Sequence, residues 1–444
     1  MRRVFVVLHR WFGLFTAVFL FVAGFTGAII SWDHELDEWL NPALFQARSG
    51  SAHPMGPSDT LALLESVEKS DPRVRVKYSP LNIEPTRALQ LSVEPRIDPA
   101  TKRPFDLGFN QLAVDPEGGH IQGRRMWGEV SLDRENLLPF LYKLHYTMHL
   151  PDAFGVEVGM LFMGIVASVW ALDCFIALGL SFPRRKTWSK SFAFRLRSGS
   201  RRLTFDLHRS GGVWAWGLLL TLAVTAVSMN LNAQVVRPLV SLSSTLSKSP
   251  FDSRTPNPPD RPIETVITRA QAMELACAEA QKRGIAAPAG GMFYASSVGV
   301  YGVGFFAPGL EHGDGGLGNP WFYVDARDGH FLGAEIPGEG SAGDVFMQAQ
   351  FPLHSGRILG FTGRVLVSFL GLVVAMLSVT GVLIWARKQR ARSLLALRHG
   401  PGAAPDQRVA AVLSHPDVAI DRSVAMSSSR ARVLSDAEHD TSEV

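Results

Sequence analysis

The residues in this chain best suited to chemistry are histidines at the ends of long apolar runs. His9 and His208 each open such a run, and His145, His149 and His354 precede two others. An ionisable side chain at a membrane boundary or inside a helix bundle is a candidate functional group by default. Two imidazoles on opposite sides of a symmetric bundle can each donate one nitrogen to a central ion. A flat, apolar haem with two axial positions suits that arrangement. The pattern predicts two haem b groups, one near each leaflet, forming an electron path across the membrane. His9, His208, His145, His149 and His354 are the candidate ligands of haem iron. No Cys-x-x-Cys-His occurs, so covalent haem attachment is excluded. Arg10 and Arg209, directly after His9 and His208, could hold haem propionates through paired hydrogen bonds. The plainer role for a boundary histidine is an interfacial anchor, and for these arginines a topological signal.

His145 and His149 are four residues apart and would share one helical face. Counting from upstream pairs His145 with His354, while counting back from the basic residues after each span favours His149, so both stay open. Asp173 lies inside an apolar run, about ten residues before Pro183, with no evident counterpart charge. Proton handling or a hydrogen bond to a ligating histidine are its candidate roles.

A hydrocarbon core about 30 Å thick needs roughly 20 apolar residues in helix. Four windows meet this, at 11–32, 157–182, 212–231 and 364–386. Basic residues crowd 1–10, 183–211 and the stretch after 386, which the positive-inside rule places in the cytoplasm. The reading is a multi-pass protein of the bacterial inner membrane with both termini cytoplasmic. Residues 1–32 hold the N-terminus and first span, 33–156 a first periplasmic domain, 157–182 the second span and 183–211 a basic loop. Residues 212–231 are the third span, 232–363 a second periplasmic domain, 364–386 the fourth span and 387–444 a disordered tail. A cleaved leader is the alternative for the first span, but its apolar run continues to Trp32, which suits an anchor.

The two halves repeat. His9, Arg10, Gly13 and Thr26 recur 199 residues on as His208, Arg209, Gly212 and Thr225. Val114, Asp115, Gly119 and His120 recur 210 residues on as Val324, Asp325, Gly329 and His330, and Leu144-His145 recurs as Leu353-His354. Both halves start from the same side, so the repeat is parallel about an axis along the membrane normal. Each outer segment reads as a small α+β module. The first has a helix at 58–69, introduced by Ser58 and Asp59, and strands near 73–79, 88–93 and 111–115. The second has a helix at 268–283 and strands near 291–297, 300–306 and 321–325. His120 and His330 fall in matching hairpins and read as structural. Gly309–Gly318, with Glu311, His312 and Asp314, is a glycine-rich loop that is either a substrate contact or simply mobile.

Composition removes several classes. Charged residues make up 19% of the 444, and the apolar residues are gathered in four blocks, which excludes a purely soluble enzyme and a disordered chain. A net charge of +4, placed for topology, gives no nucleic-acid footprint, and two cysteines build no disulfide framework. Gly299, Gly302 and Gly304 lack the strand-to-helix setting of a dinucleotide site.

With these residues in view, the chain resembles the PepSY-associated transmembrane helix family, in particular its FoxB-type inner-membrane ferrisiderophore reductases. The resemblance spans residues 1–392 and rests on Leu-His-Arg-Trp-Phe-Gly at 8–13, Leu-His-Tyr-Thr-Met-His-Leu-Pro at 144–151, Trp-Ala-Leu-Asp at 170–173, Asp-Leu-His-Arg at 206–209, Leu-His-Ser-Gly at 353–356 and Val-Thr-Gly-Val-Leu-Ile-Trp at 379–385. Val-Thr-Ala at 224–226 departs from the Thr-Gly of the other repeat spans. The resemblance implies four transmembrane helices carrying two periplasmic α+β PepSY-like domains, and a di-haem b ferric-chelate reductase that frees Fe(II) from a ferric siderophore. Such a reductase would take electrons from membrane quinol or a separate reductase. The competing readings are a transporter of iron complexes and a non-enzymatic PepSY sensor or regulator.

Overall fold

The computed structural model describes residues 1–50, 53–153, 155–197, 199–313 and 315–398. Asp314 and residues 399–444, most of the expected tail, lie outside the described residues. Among the described residues, four helices are long and apolar enough to cross a membrane. They are a first span Arg2–Ile30, a second Val158–Ser181, a third Ser200–Asn230 and a fourth Gly360–Arg398. The fourth helix continues through the basic residues after 386, because 387–398 holds no Gly or Pro to stop it.

The spans form a ring in which the first packs on the second and fourth, and the third on the same two. Glycine sets the tightest seam. A Cβ on Gly24 would stand 2.6 Å from the Gly371 carbonyl oxygen, and one on Gly371 2.4 Å from that of Gly24. Only hydrogen at both positions lets the first and fourth backbones meet. A polar clamp closes the sheet-side end of this seam. Buried Arg364 donates from Nε to the Ser31 carbonyl (2.9 Å) and from Nη2 to Glu35 (2.7 Å), with its guanidinium 4.4 Å from the centre of the Trp32 ring. Trp32 Nε1 in turn donates to Ser368 (2.9 Å).

Beyond the spans lie eight strands: β1 Val74–Pro80, β2 Leu89–Pro95, β3 Gln111–Val114, β4 Ile121–Arg125, β5 Ala289–Ala295, β6 Val300–Phe305, β7 Trp321–Asp325 and β8 Phe331–Glu335. They form one antiparallel sheet in the order β4-β3-β2-β1-β5-β6-β7-β8. The two outer modules therefore share a sheet. They join where Tyr78, Ser79 and Pro80 of β1 face Phe293, Met292 and Gly291 of β5. The hairpins expected at His120 and His330 form, but their second arms, β4 and β8, have no strand signal of their own in the sequence, because each is short, carries a glycine and lacks clean alternation.

Helices Pro57–Ser70 and Arg269–Lys282 cover one face of the sheet. In β2 the inward residues Leu89, Leu91 and Val93 alternate with partly exposed ones, the signature of a sheet buried on one side. β6 is buried throughout, because Phe251, Phe293 and Tyr323 cover its second face. The first helix starts at Pro57 with Gly56 as its cap, not at Ser58 or Asp59; proline suits the first helical position, where its missing N–H costs nothing. Glu68 ties the modules together, accepting from Arg269 Nη2 (2.7 Å), Arg96 Nη2 (3.1 Å) and the Val76 amide (2.7 Å). Burial alone would raise its pKa, but the Arg269 hydrogen bond and the other partners outweigh burial and hold it below the ordinary value.

Three further helices connect sheet and bundle. Asp33–Leu40 follows the first span, and Leu137–Thr147 and Ala342–Ser355 lead from each module back to the membrane. Gly356 ends the last of these at φ +76°, and a Cβ there would also strike the Gly363 carbonyl at 2.2 Å.

Candidate functional site

The repeat brings histidines together in two pairs. On the side of the bundle away from the sheet, the His9 and His208 ring centres are 6.0 Å apart. On the sheet side, His145 and His354 are 6.2 Å apart. His149 is not brought to the second pair. Met148 and His149 both take positive φ, which ends the helix at Thr147 and turns the chain away. His149 stacks on Phe140 at 4.7 Å and donates to the Phe140 carbonyl from Nε2 (3.0 Å).

Each paired ring is fixed through Nδ1 by a neighbouring span. His145 Nδ1 lies 2.9 Å from the Ala23 carbonyl and 3.2 Å from Thr26 Oγ1. His354 Nδ1 lies 2.9 Å from Thr225 Oγ1. His208 Nδ1 lies 3.1 Å from both the Leu377 carbonyl and Thr380 Oγ1. His9 Nδ1 lies 2.9 and 3.0 Å from the two carboxylate oxygens of Asp173. Carbonyls and carboxylates only accept, and the three threonine hydroxyls already donate along their own helices to Val22, Thr221 and Met376. Hence Nδ1 carries a proton in all four rings.

The partners are themselves a repeat. Thr26-Gly27, Asp173-Cys174, Thr225-Ala226 and Thr380-Gly381 occupy matching places in the four spans. At Gly27 and Gly381 the histidine ring crosses so closely that a Cβ would stand 2.9 and 3.0 Å from a ring carbon. Asp173 is thus the fourth member of a histidine-holding set. A hydrogen bond to a histidine was among the roles the sequence offers for Asp173, but its membership of this set is not legible there, because the match is one of place in the helix, not of residue type.

Burial, then the neighbouring His145 ring, push His354 down to about 3, and burial lowers His145 as well. Both are neutral at physiological pH. Arg10 and Arg209 lie beside the other pair, Arg10 over Trp11 and Arg209 over Phe205. The Nε of each is buried without a hydrogen-bond partner. Arg209 also faces Asp206 at 3.7 Å.

Each level offers two imidazoles, and the one carboxylate beside them, Asp173, is taken by His9. Among the described residues, no group of three or more His, Cys, Asp and Glu is placed to hold a metal ion. The expectations of two haem b groups, of haem-iron ligation, of a di-haem ferrisiderophore (ferric-chelate) reductase and of electron transport are therefore corrected.

A second feature was only partly legible in the sequence. A cavity of about 510 Å³ opens between the two modules and the helices Asp33–Leu40 and Leu137–Thr147. Its aromatic walls are Phe45, Tyr78, Trp127, Tyr142 and Trp321. The glycine-rich loop contributes Gly309, Glu311 and His312. That loop is anchored at its far end, where the Gly315 and Gly316 amides donate to the Arg357 and Ile358 carbonyls at the head of the fourth span (2.8 and 3.1 Å). His120 and His330 are exposed, and their carbonyls accept from the amides of Asp115 and Asp325 in matching hairpin turns (2.9 Å each).

With this geometry in place, comparison with known families is informative. The model of the PepSY-associated TM region matches residues 6–388, and the chain belongs to that family. No curated protein matches it.

Proposed function

We propose that the protein is a non-enzymatic, ligand-responsive membrane regulator. Its sheet would face the periplasm of a bacterial cell, capture a ligand in the cavity and report occupancy to the spans. The observation that carries this reading is the cavity's wall. Tyr142 lies on the helix that delivers His145 into the bundle, and Glu311 lies on the loop anchored to the head of the fourth span. A ligand touching both would move two elements that enter the bundle at different places.

The Gly24–Gly371 contact favours regulation over transport, because backbones this close leave no path between the first and fourth spans. What the sequence resemblance still contributes is a ligand class, a ferric siderophore. The test uses a gallium(III) trihydroxamate, which matches the ferric complex in shape and charge but cannot be reduced. Spin labels on Arg202→Cys and Lys388→Cys, in the full chain with Cys174 and Cys277 replaced by alanine, read the separation of the third and fourth spans in lipid nanodiscs. Saturable binding should change that distance by about 1–2 Å or more. Binding with no change sinks the regulatory reading. Reduction of the ferric complex by the protein, faster than by a chemical reductant alone, would replace regulation with catalysis.

A further inference from the structure

The charges around the cavity say more about its occupant than its size does. At about 510 Å³ it falls within the usual range for small-molecule sites, roughly 300–1,000 Å³. Four carboxylates line it, Asp33, Asp37, Glu84 and Glu311, against two guanidinium groups, Arg87 and Arg125. Both arginines are already committed. Arg125 pairs with Asp37 at 2.7 Å, and Arg87 pairs with Glu38. Glu84 stands 3.8 Å from the Nε of Arg87, and Asp33 4.0 Å from Arg357, neither in hydrogen-bonding range. Glu311 makes no ion pair among the described residues. With Asp33 paired to Arg357, Asp37 to Arg125 and Glu38 to Arg87, the excess of negative charge falls on Glu84 and Glu311.

The two halves of the site come together at the mouth. A Cβ on Gly309 of the second module would lie 3.9 Å from Glu84 Oε1 of the first. Glu311 is close enough to Tyr78 to add to burial in pushing the phenol's pKa up, so Tyr78 remains a neutral O–H donor. Uncompensated carboxylates beside aromatic faces attract a cation twice, through charge-assisted hydrogen bonds and through the ring quadrupole.

From this we infer that the cavity binds an organic cation, an ammonium or guanidinium group on a partly apolar, hydrogen-bonding body, with Glu84 and Glu311 as its anionic contacts. This deepens the regulatory reading by assigning ligand chemistry to the same site, and it rests on that reading for its biological meaning only.

The probe is trilysine, titrated calorimetrically into the full chain in nanodiscs of zwitterionic lipid, with triglutamate as the anionic control. Trilysine should bind saturably and triglutamate should not. Glu84→Gln and Glu311→Gln should each weaken trilysine about tenfold, the loss of one charge-assisted hydrogen bond. Glu84 is exposed and Glu311 partly so, so both variants should keep the parent's circular dichroism. Equal binding of the two peptides, or unchanged trilysine affinity in both variants, overturns the assignment. Trilysine binding with the spin-label distance unchanged would leave the cation site standing and remove regulation. A distance change driven by the gallium complex without any preference for cations would do the reverse.

Discussion

The two ends of the bundle solve one problem with different chemistry. On the sheet side, His145 and His354 are each fixed by a threonine, Thr26 and Thr225. At the other end, His208 has Thr380 while His9 has Asp173. Three positions are neutral and one is a carboxylate. Duplication explains why all four rings point their Nδ1 into a neighbouring span. It does not explain why one partner can carry charge, so that single departure is what makes the ends inequivalent. His9 keeps 31% side-chain exposure against 12% for Asp173, which places the charge-capable pair where the bundle opens.

The largest expected effect tests whether the seams around these rings are as unequal as the rings' partners. Gly24→Leu should destabilise the protein by about 3 kcal/mol or more, since the new side chain meets the Gly371 carbonyl and neither backbone can move independently. Thermal unfolding in detergent should show it. Little change would mean the first and fourth spans are less tightly held than their contact implies.

Acid should strike the sheet-side pair. His354 is held near 3 in the folded protein, against about 6.5 for an unperturbed imidazole. Between those values the unfolded chain binds more protons, so stability falls as pH drops below about 6.5 and this contribution stops changing below about 3. The slope is at most about 1.4 kcal/mol per pH unit for each such histidine. A pH series of melting temperatures should steepen below 6.5, and His354→Gln should flatten it. An unchanged profile would remove the claim that this ring is desolvated.

Asp173→Thr should make the four positions alike at a cost of about 1 kcal/mol, because a hydroxyl still accepts from His9 Nδ1. Asp173→Ala should cost more, about 1.5–3 kcal/mol, by leaving that N–H without its acceptor. If alanine and threonine behave alike, the hydrogen bond contributes nothing to holding the ring.

The smallest effect concerns the residue after each partner. Gly27→Ala brings a Cβ to 2.9 Å from the His145 ring, yet the equivalent position beside His354 already carries Ala226. We expect Gly27→Ala to cost about 1 kcal/mol and Ala226→Gly less than that, read as shifts in melting temperature. Equal costs would mean that the rings approach their spans equally closely.

Read along the chain alone, the spans, the duplication, six of the eight strands and the matching ends on which the histidines stand are already visible. These are carried by local signals, namely apolar run length, period-two alternation and residues recurring at fixed displacement. Which side chains meet is settled by the packed fold. It chose His145 over His149, because a left-handed turn at Met148 and His149 removes the second ring from the bundle. It gave Asp173 a partner 164 residues away, joined the two modules through β1 and β5, and set the glycine-rich loop against Glu84. Helix rotation, the order of spans around a ring and strand pairing are long-range choices made by packing, and no window along the chain contains both partners.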